Sequence, residues 1–368
     1  MRKRKILALS LSGAVLALAA CAALIAGRCL HAQRDFHPIR TAFPPELKRA
    51  QDSLPKYRRA EESTYLTYTE WYLVFNPQEY ADFIARERPS RFPYLASIRQ
   101  CWSGYCEACG VTHGRYPFNG SDYLMLSVIS VSFSVEYAIK GAWESTLGRA
   151  SEWTAGGRRV PEDEYAAKVA REYGAFIPTD PWYMFPFRAK LTGLWRETPF
   201  WGKDFLRKCE RKVFLSLEYG VKAGYAWIIK AATRSVYGIA ETEVDASLLR
   251  PQDSLFTDPR LRRIEAVGDS LVIVALPHYQ GFTDVLPGLA RKGARFLDVC
   301  GNDEIMGTII APGAAGYHPP AGQVLFTMPV LTATDSVRIA LQIPVSDLTR
   351  VLSDLGPQGA RLEHLFDY

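Results

Sequence analysis

Between Ile6 and Gly27 the chain carries no charged residue, and Arg2, Lys3, Arg4 and Lys5 stand directly before that stretch. An uncharged run of this length matches the ~20 residues that a helix needs to cross the hydrocarbon core of a bilayer. Only Arg28 and Arg34 follow closely on the other side. The positive-inside rule therefore predicts a cytoplasmic N-terminus and an extracytoplasmic body. The expected location is the cell (inner) membrane, crossed once, with the bulk of the chain in the periplasm. Three forms of this segment stay open: a retained helix, a plain cleaved signal, and a lipoprotein signal. The last reads Leu18-Ala19-Ala20-Cys21 as a lipobox with Cys21 lipidated, although Ala22 to Gly27 stays apolar where such proteins turn polar.

The 368 residues exceed one ordinary core, and 48% hydrophobic with 23% charged residues is a composition that folds. A formal net charge of +5 is small for this length, and no Lys/Arg face is interleaved with aromatics, so nucleic acid is not an expected partner. Residues 1–30 form the anchor or lipoprotein signal. Residues 31–65 carry Pro38, Pro44, Pro45 and Pro55 among charged residues and read as a stalk that bridges rather than buries. Asn76-Pro77-Gln78-Glu79 reads as a helix start, with Asn as cap and Pro at the first helical position, predicting a helix from Pro77 to about Glu87.

Two duplications organise the rest. Over residues 66–245, Phe92-Pro93-Tyr94 up to Trp102 recurs as Phe185-Pro186-Phe187 up to Trp195. Ser134 to Lys140 recurs as Ser216 to Lys222. Upstream, Glu79-Tyr80 matches either Glu164-Tyr165 or Glu172-Tyr173, and the sequence does not choose. This predicts an all-α domain of two related helical units. Over residues 255–368, residues 269–299 match 335–365 at a constant shift of 66, through pairs such as Asp269/Asp335, Leu286/Leu352 and Gly293/Gly359. Each copy reads as a βαβ unit, with strand-like runs Glu304 to Ala311 and Gln323 to Thr332 between them. Right-handed crossovers would join the two into one ferredoxin-like sheet, so the fold class is α+β.

No phosphate loop, dinucleotide glycine fingerprint, His-Glu-x-x-His motif or nucleophile elbow is present. Three constellations remain. Cys101, Cys106, Cys109 and His113 are spaced like ligands of a tetrahedral metal, zinc by their chemistry; a local disulfide and unpaired thiols are the competing readings, and no other cofactor is expected. Glu136/Lys140 and Glu218/Lys222 are i,i+4 couples in apolar helices. The two carboxylates would act as acid and base, or as ligands of a hard cation, if they converged, and as partners of ion pairs holding helix register if they did not. His278, which stands where its copy has Pro344, with Asp298, Asn302, Asp303 and Glu304, forms a candidate ligand site at the strand ends; Lys140 and Lys222 are further ligand-binding candidates. Segments 123–143 and 213–231 are long enough to span a membrane, yet each holds a Glu and a Lys, which favours buried helices of a soluble domain. The aromatic run Pro181 to Phe187 suits helical packing or a membrane interface. The leading expectation is a membrane-tethered protein that binds a protein or small-molecule partner without catalysis. A hydrolase or metal-dependent enzyme, and a transporter component if both segments span, are the alternatives.

Overall fold

The computed structural model describes residues 25, 27–29, 36–233, 242–313 and 316–367. Most of the Ile6–Gly27 segment, and Cys21 with it, lies outside the described residues; Ile25 and Gly27–Cys29 are helical. The chain is α+β. Its helical part comprises α1 (Pro45–Ser53), α2 (Ser63–Leu66), α3 (Tyr68–Arg86), α4 (Tyr94–Thr112), α5 (Gly120–Trp143), α6 (Arg149–Thr154), α7 (Pro161–Phe176), α8 (Phe187–Glu197) and α9 (Phe205–Thr233). Strands β1 (Glu243–Leu249), β2 (Arg262–Val267) and β3 (Leu271–Pro277) follow, then α10 (Gln280–Arg291), β4 (Phe296–Val299), β5 (Glu304–Pro312), β6 (Gln323–Pro329), β7 (Ser336–Pro344), α11 (Leu348–Asp354) and β8 (Arg361–Phe366). By contacts the chain divides into two compact units, neither continuous in sequence. Met1–Trp71, Arg99–Ser134 and Glu241–Tyr368 form the first; Tyr72–Ile98 and Val135–Ala240 form the second.

In the first unit the strands form two four-stranded antiparallel sheets, ordered β2-β3-β1-β4 and β6-β7-β5-β8. The single ferredoxin-like sheet expected from the sequence does not form. Each βαβ crossover leaves a slot between its two parallel strands, and a strand that precedes it fills that slot antiparallel: β1 lies between β3 and β4, and β5 between β7 and β8. The run at 304–311, expected to link the two units, thus belongs to the second alone. The first takes its central strand from residues 243–249, ahead of the expected domain start at 255. The duplicated module is therefore β-β-β-α-β. Its two copies carry register breaks in the same pairings, at Ser247/Leu248 and Thr308/Ile309, and at Arg263/Glu265 and Val324/Phe326. Such bulges re-aim a strand and count as built features.

Both modules share one core, in which Phe282, Val285, Leu286 and Leu289 of α10 and Leu348 and Val351 of α11 meet Val274, Leu276, Leu341 and Ile343 of the strands. The other face of the first sheet is covered by the segment expected to be a stalk. Leu47 and Ala50 of α1, with Tyr57, pack on Val267, Leu271 and Ile273. Against the second sheet, the Thr64 hydroxyl donates to the Phe366 carbonyl at 2.7 Å, and the Tyr68 ring meets Phe326 edge-on at 4.9 Å. Residues 36–65 therefore bury rather than bridge. The spacing Leu47, Ala50, Leu54, Tyr57 is a helical apolar stripe that the surrounding prolines and charges obscured.

The helical repeat keeps its contacts as well as its residues. Tyr80 meets Phe92 at 5.0 Å, Phe83 meets Phe92 at 5.4 Å, and Phe92 meets Tyr94 at 4.9 Å. Shifted by 93, Tyr173 meets Phe185 at 5.1 Å, Phe176 meets Phe185 at 5.3 Å, and Phe185 meets Phe187 at 4.9 Å. The Tyr72 hydroxyl donates to the Ser97 carbonyl and Tyr165 to that of Lys190. The indole of Trp102 donates to Ser134 at 2.9 Å and that of Trp195 to Ser216 at 3.0 Å. This fixes the register that the sequence left open: Tyr80 corresponds to Tyr173. The helix expected to start at Pro77 instead begins at Tyr68, with Pro77 inside it. Asn76 is not its cap; the side chain is buried, and its Oδ1 accepts the Tyr137 hydroxyl.

The turns that end the two helices of the modules are also matched at a shift of 66. Gly293 (φ +77°) and Gly359 (φ +69°) donate to Ala290 and Gly356, and the residues after them donate to Leu289 and Leu355. A Cβ in this left-handed region costs about 1–2 kcal/mol. Gly293→Ala and Gly359→Ala are accordingly expected to destabilise by about that amount each, and by similar amounts, read as shifts in urea unfolding midpoint.

Candidate functional sites

The polar residues at the strand ends of the first unit are drawn into three separate hydrogen-bonded groups. Glu304, at the start of β5, is buried and accepts from the Tyr65 hydroxyl at 2.8 Å, from the Gln342 side-chain amide at 2.6 Å, from the Ile39 backbone at 2.7 Å and from the Tyr116 hydroxyl. Its neighbour Asp303 accepts from the Thr41 backbone. Asp298 is fully buried, takes the Tyr57 hydroxyl and the Gly301 N–H at 2.9 Å each, and accepts from Ser247. Burial outweighs these bonds and holds the Asp298 carboxyl above the usual carboxylate value. Asn302 closes the β-turn with Val299.

His278 stands apart from these carboxylates. Its Nδ1 lies 2.8 Å from Asp367 Oδ2 and its Nε2 lies 3.1 Å from Arg59 Nη1. A guanidinium only donates, so Nε2 accepts and the proton on Nδ1 points at Asp367. Asp367 also accepts the Tyr279 N–H at 3.0 Å and so caps α10 from the far end of the chain. Burial raises the Asp367 carboxyl. Beside this pair, His364 is stacked on Trp71 at 3.4 Å and joined to Thr283 at 2.9 Å. Burial pulls His364 well below the imidazole value of 6.5.

The cysteine constellation does not assemble. Cys106 forms a disulfide with Cys29, Cα to Cα 4.4 Å. Cys101 and Cys109 are buried thiols of α4, and His113 turns toward Phe118 at 6.2 Å. Cys101 and Cys106, five positions apart, are rotated by roughly 140° around α4, and the bond to Cys29 occupies the Cys106 sulfur. Among the described residues, no group of three or more His, Cys, Asp or Glu is placed to hold a metal ion. Cys101 and its repeat counterpart Leu194 are equally buried, which gives Cys101 a core role. The sequence missed Cys29 because its partner lies 77 residues away.

In the second unit the two Glu/Lys couples exchange partners. Lys140 Nζ bonds Glu218 at 2.8 Å and Lys222 Nζ bonds Glu136 at 2.8 Å, so each charge is met by the other copy's opposite charge. Glu218 also lies 3.4 Å from Lys222. The lysines cover equivalent rings, Lys140 over Tyr80 at 4.1 Å and Lys222 over Tyr173 at 5.5 Å. Glu136 and Glu218 belong to one interhelical charge cluster held by the two lysines, in which Glu218 is largely enclosed and Glu136 is exposed.

Sequence reasoning missed a larger cluster. Arg207, Lys208, Arg211 and Lys212 of α9 are all buried, and so are Glu144, Glu152, Glu162 and Asp163. Arg211 bonds Glu144 at 2.7 Å and lies 3.3 Å from Asp163. Arg207 reaches Asp163 at 2.8 Å and Glu210 at 3.0 Å. Lys208 and Lys212 lie 3.6 and 3.4 Å from Glu162. A π-helical turn, Glu144–Gly148, carries Glu144 inward at the end of α5. The available signal was the repeat itself: at a shift of 82 the four cations stand where the first copy has Met125, Leu126, Ile129 and Ser130.

The outer faces of the long helices run opposite to this interior. The exposed residues of α9 from Phe205 to Ala231 are Phe205, Leu206, Val213, Leu217, Val221, Gly224, Tyr225, Trp227, Ile228 and Ala231, with no charge among them. In the continuous helix Gly120–Thr154 only 28% of the most apolar stretch is buried, so α5 is not the buried helix expected from the sequence. Comparison with family models, with curated proteins and with solved structures finds no match. The functional reading therefore rests on geometry.

Removing one member of a buried ion pair strands the other and costs about 3–5 kcal/mol. Arg211→Ala is expected to destabilise by that order, and Arg211→Leu with Glu144→Leu by clearly less than the sum of the single changes, in a double-mutant cycle followed by chemical denaturation. A second prediction concerns pH. His364 is depressed in the folded state, so the unfolded chain binds the extra proton and stability is lost as pH falls below 6.5. His364→Gln should flatten the fall in melting temperature between about pH 7 and 5.

Proposed function

We propose that this chain is a membrane-tethered protein that works by binding a partner rather than by catalysis. Ile6–Gly27 serves as the tether, with the N-terminus cytoplasmic and the sheets in an extracytoplasmic compartment. The Cys29–Cys106 disulfide carries this reading, because such bonds persist in oxidising compartments and Cys29 stands two residues beyond the apolar segment. A chain held in the cytosol would keep both thiols reduced. The engagement of the candidate acids supports binding over catalysis: Glu304 and Asp298 are enclosed by tyrosine hydroxyls and backbone amides, Glu218 by two lysines, and the exposed Glu136 is paired with Lys222. A hydrolytic pair would need one carboxylate free to reach a substrate proton.

Expressed at full length in a bacterial host, the protein is expected in the membrane pellet after alkaline carbonate extraction. It should be accessible to protease added from the extracytoplasmic side, and on non-reducing gels it should run faster than its Cys106→Ser variant. Recovery as a soluble cytosolic protein with reduced Cys29 and Cys106 would refute the tether. Loss of the disulfide in Cys29→Ser is expected to lower stability by about 2–5 kcal/mol, measured by thermal unfolding of detergent-solubilised protein with and without reductant.

A further inference from the structure

We infer that the outward face of α9, and the corresponding face of α5, lies against the acyl chains of the bilayer; this rests on the membrane tether proposed above. A helix on a water-facing surface carries charged residues on its exposed side. Along α9 the pattern is inverted. Arg207, Lys208, Arg211 and Lys212 point inward to carboxylates, while Leu206, Val213, Leu217, Val221 and Ile228 point outward. The outward stripe is bounded by aromatics, Trp201 stacked on Phe205 at one end and Tyr225 with Trp227 at the other. Phe205 and Trp227 are separated by about 33 Å of helix, close to the ~30 Å of a hydrocarbon core, and aromatic residues favour the two interfaces of that core.

The first copy repeats the design. Leu124 and Ile139 stand at the positions of Leu206 and Val221, and all are exposed. Glu136, the one charged residue on the exposed side of α5, is joined to Lys222. A third observation brings α5 to the membrane independently. Cys29, two residues past the tether, packs in one cluster with Tyr123 and Leu126 of α5, whose neighbours Leu124, Met125 and Val128 are exposed. A lipid surface is the occupant that fits the length and uncharged outward face of α9 and, separately, the neighbourhood of Cys29 on α5.

The test uses the full-length wild-type protein reconstituted into phosphatidylcholine vesicles that contain a lipid with a diazirine in its acyl chain. After irradiation, adducts are mapped by mass spectrometry. Adducts are expected on the 6–27 peptide and on α9 peptides containing Leu217 and Val221, each about tenfold or more above those on β3 and β7, since hydrocarbon contact separates lipid-embedded from water-exposed segments. Adducts on the 6–27 peptide alone would overturn the inference and leave the tether standing. Adducts on neither would overturn both. A benzophenone at position 221 that links to a second copy of the chain instead of to lipid would also overturn it, in favour of self-association.

Discussion

Glu304 holds together the part of the molecule that the sheets depend on. Its two carboxylate oxygens receive donors from four separate stretches: Ile39 in the extended N-terminal segment, Tyr65 in α2, Tyr116 after α4, and Gln342 in β7. Four donors fill the lone pairs of one carboxylate, so its burial leaves no acceptor unmet. The outcome is that residues 36–71 are fastened across the outer faces of both sheets. Without that cover, β3 and β5, apolar on both faces, would expose one face to water. Asp298 repeats the device on the first sheet through Tyr57, which places Leu47 and Ala50 of α1 over Ile273. A nonpolar cover is thus positioned by carboxylates and phenols: directional bonds choose the register, and area burial supplies most of the stabilisation.

Much of the internal organisation was legible because duplication leaves the same signature at fixed offsets. The shift of 66 located α10 and α11, their terminal glycines and the strands on either side. The i,i+4 couples at 136/140 and 218/222 pointed to the helices that meet. What the offsets could not carry was the identity of the strand between each crossover pair. Residues 243–249 and 304–312 do not align at a shift of 66, because the loops after β1 and β5 differ in length. Pairings across 239 to 265 residues, such as Tyr65 and Ile39 with Glu304, leave no local mark at all. Proline and charge in residues 31–65 suggested a spacer, but composition reports mean polarity and not the phase of Leu47, Ala50, Leu54 and Tyr57.

Divergence between copies proved as informative as likeness, though not where sequence first suggested. His278 departs from Pro344, and its imidazole serves to orient Asp367 over the start of α10. The departure with the larger physical consequence lies in α9, where four cations replace Met125, Leu126, Ile129 and Ser130. Their partners differ in part. Glu162 stands where the first copy has Thr69 and Glu144 has no acidic counterpart, its equivalent at a shift of 82 being Ala226, whereas Asp163 matches the acidic Glu70. Glu162 and Glu144 thus add negative charge opposite the added cations. That is the pattern expected of a self-neutralising interior, in which each ion is kept only because another stands within about 4 Å of it.

An interior of paired ions beneath an exterior of aliphatic side chains is doubly unfavourable in water. The ions give up hydration, and the Leu, Val and Ile side chains of α9 keep contact with solvent that a conventional arrangement would remove. Placed against hydrocarbon, both terms change sign or shrink. The aliphatic face loses nothing, and the ions that would be costly on that face are already turned away from it and neutralised. The crossed pairs Lys140–Glu218 and Lys222–Glu136 extend the logic to the middle of both helices, where an unpaired charge would be least tolerated. The Glu and Lys that argued against lipid contact when each helix was considered alone become compatible with it once the two copies exchange partners. Pairing is decided between helices, so the sequence of either one could not reveal it.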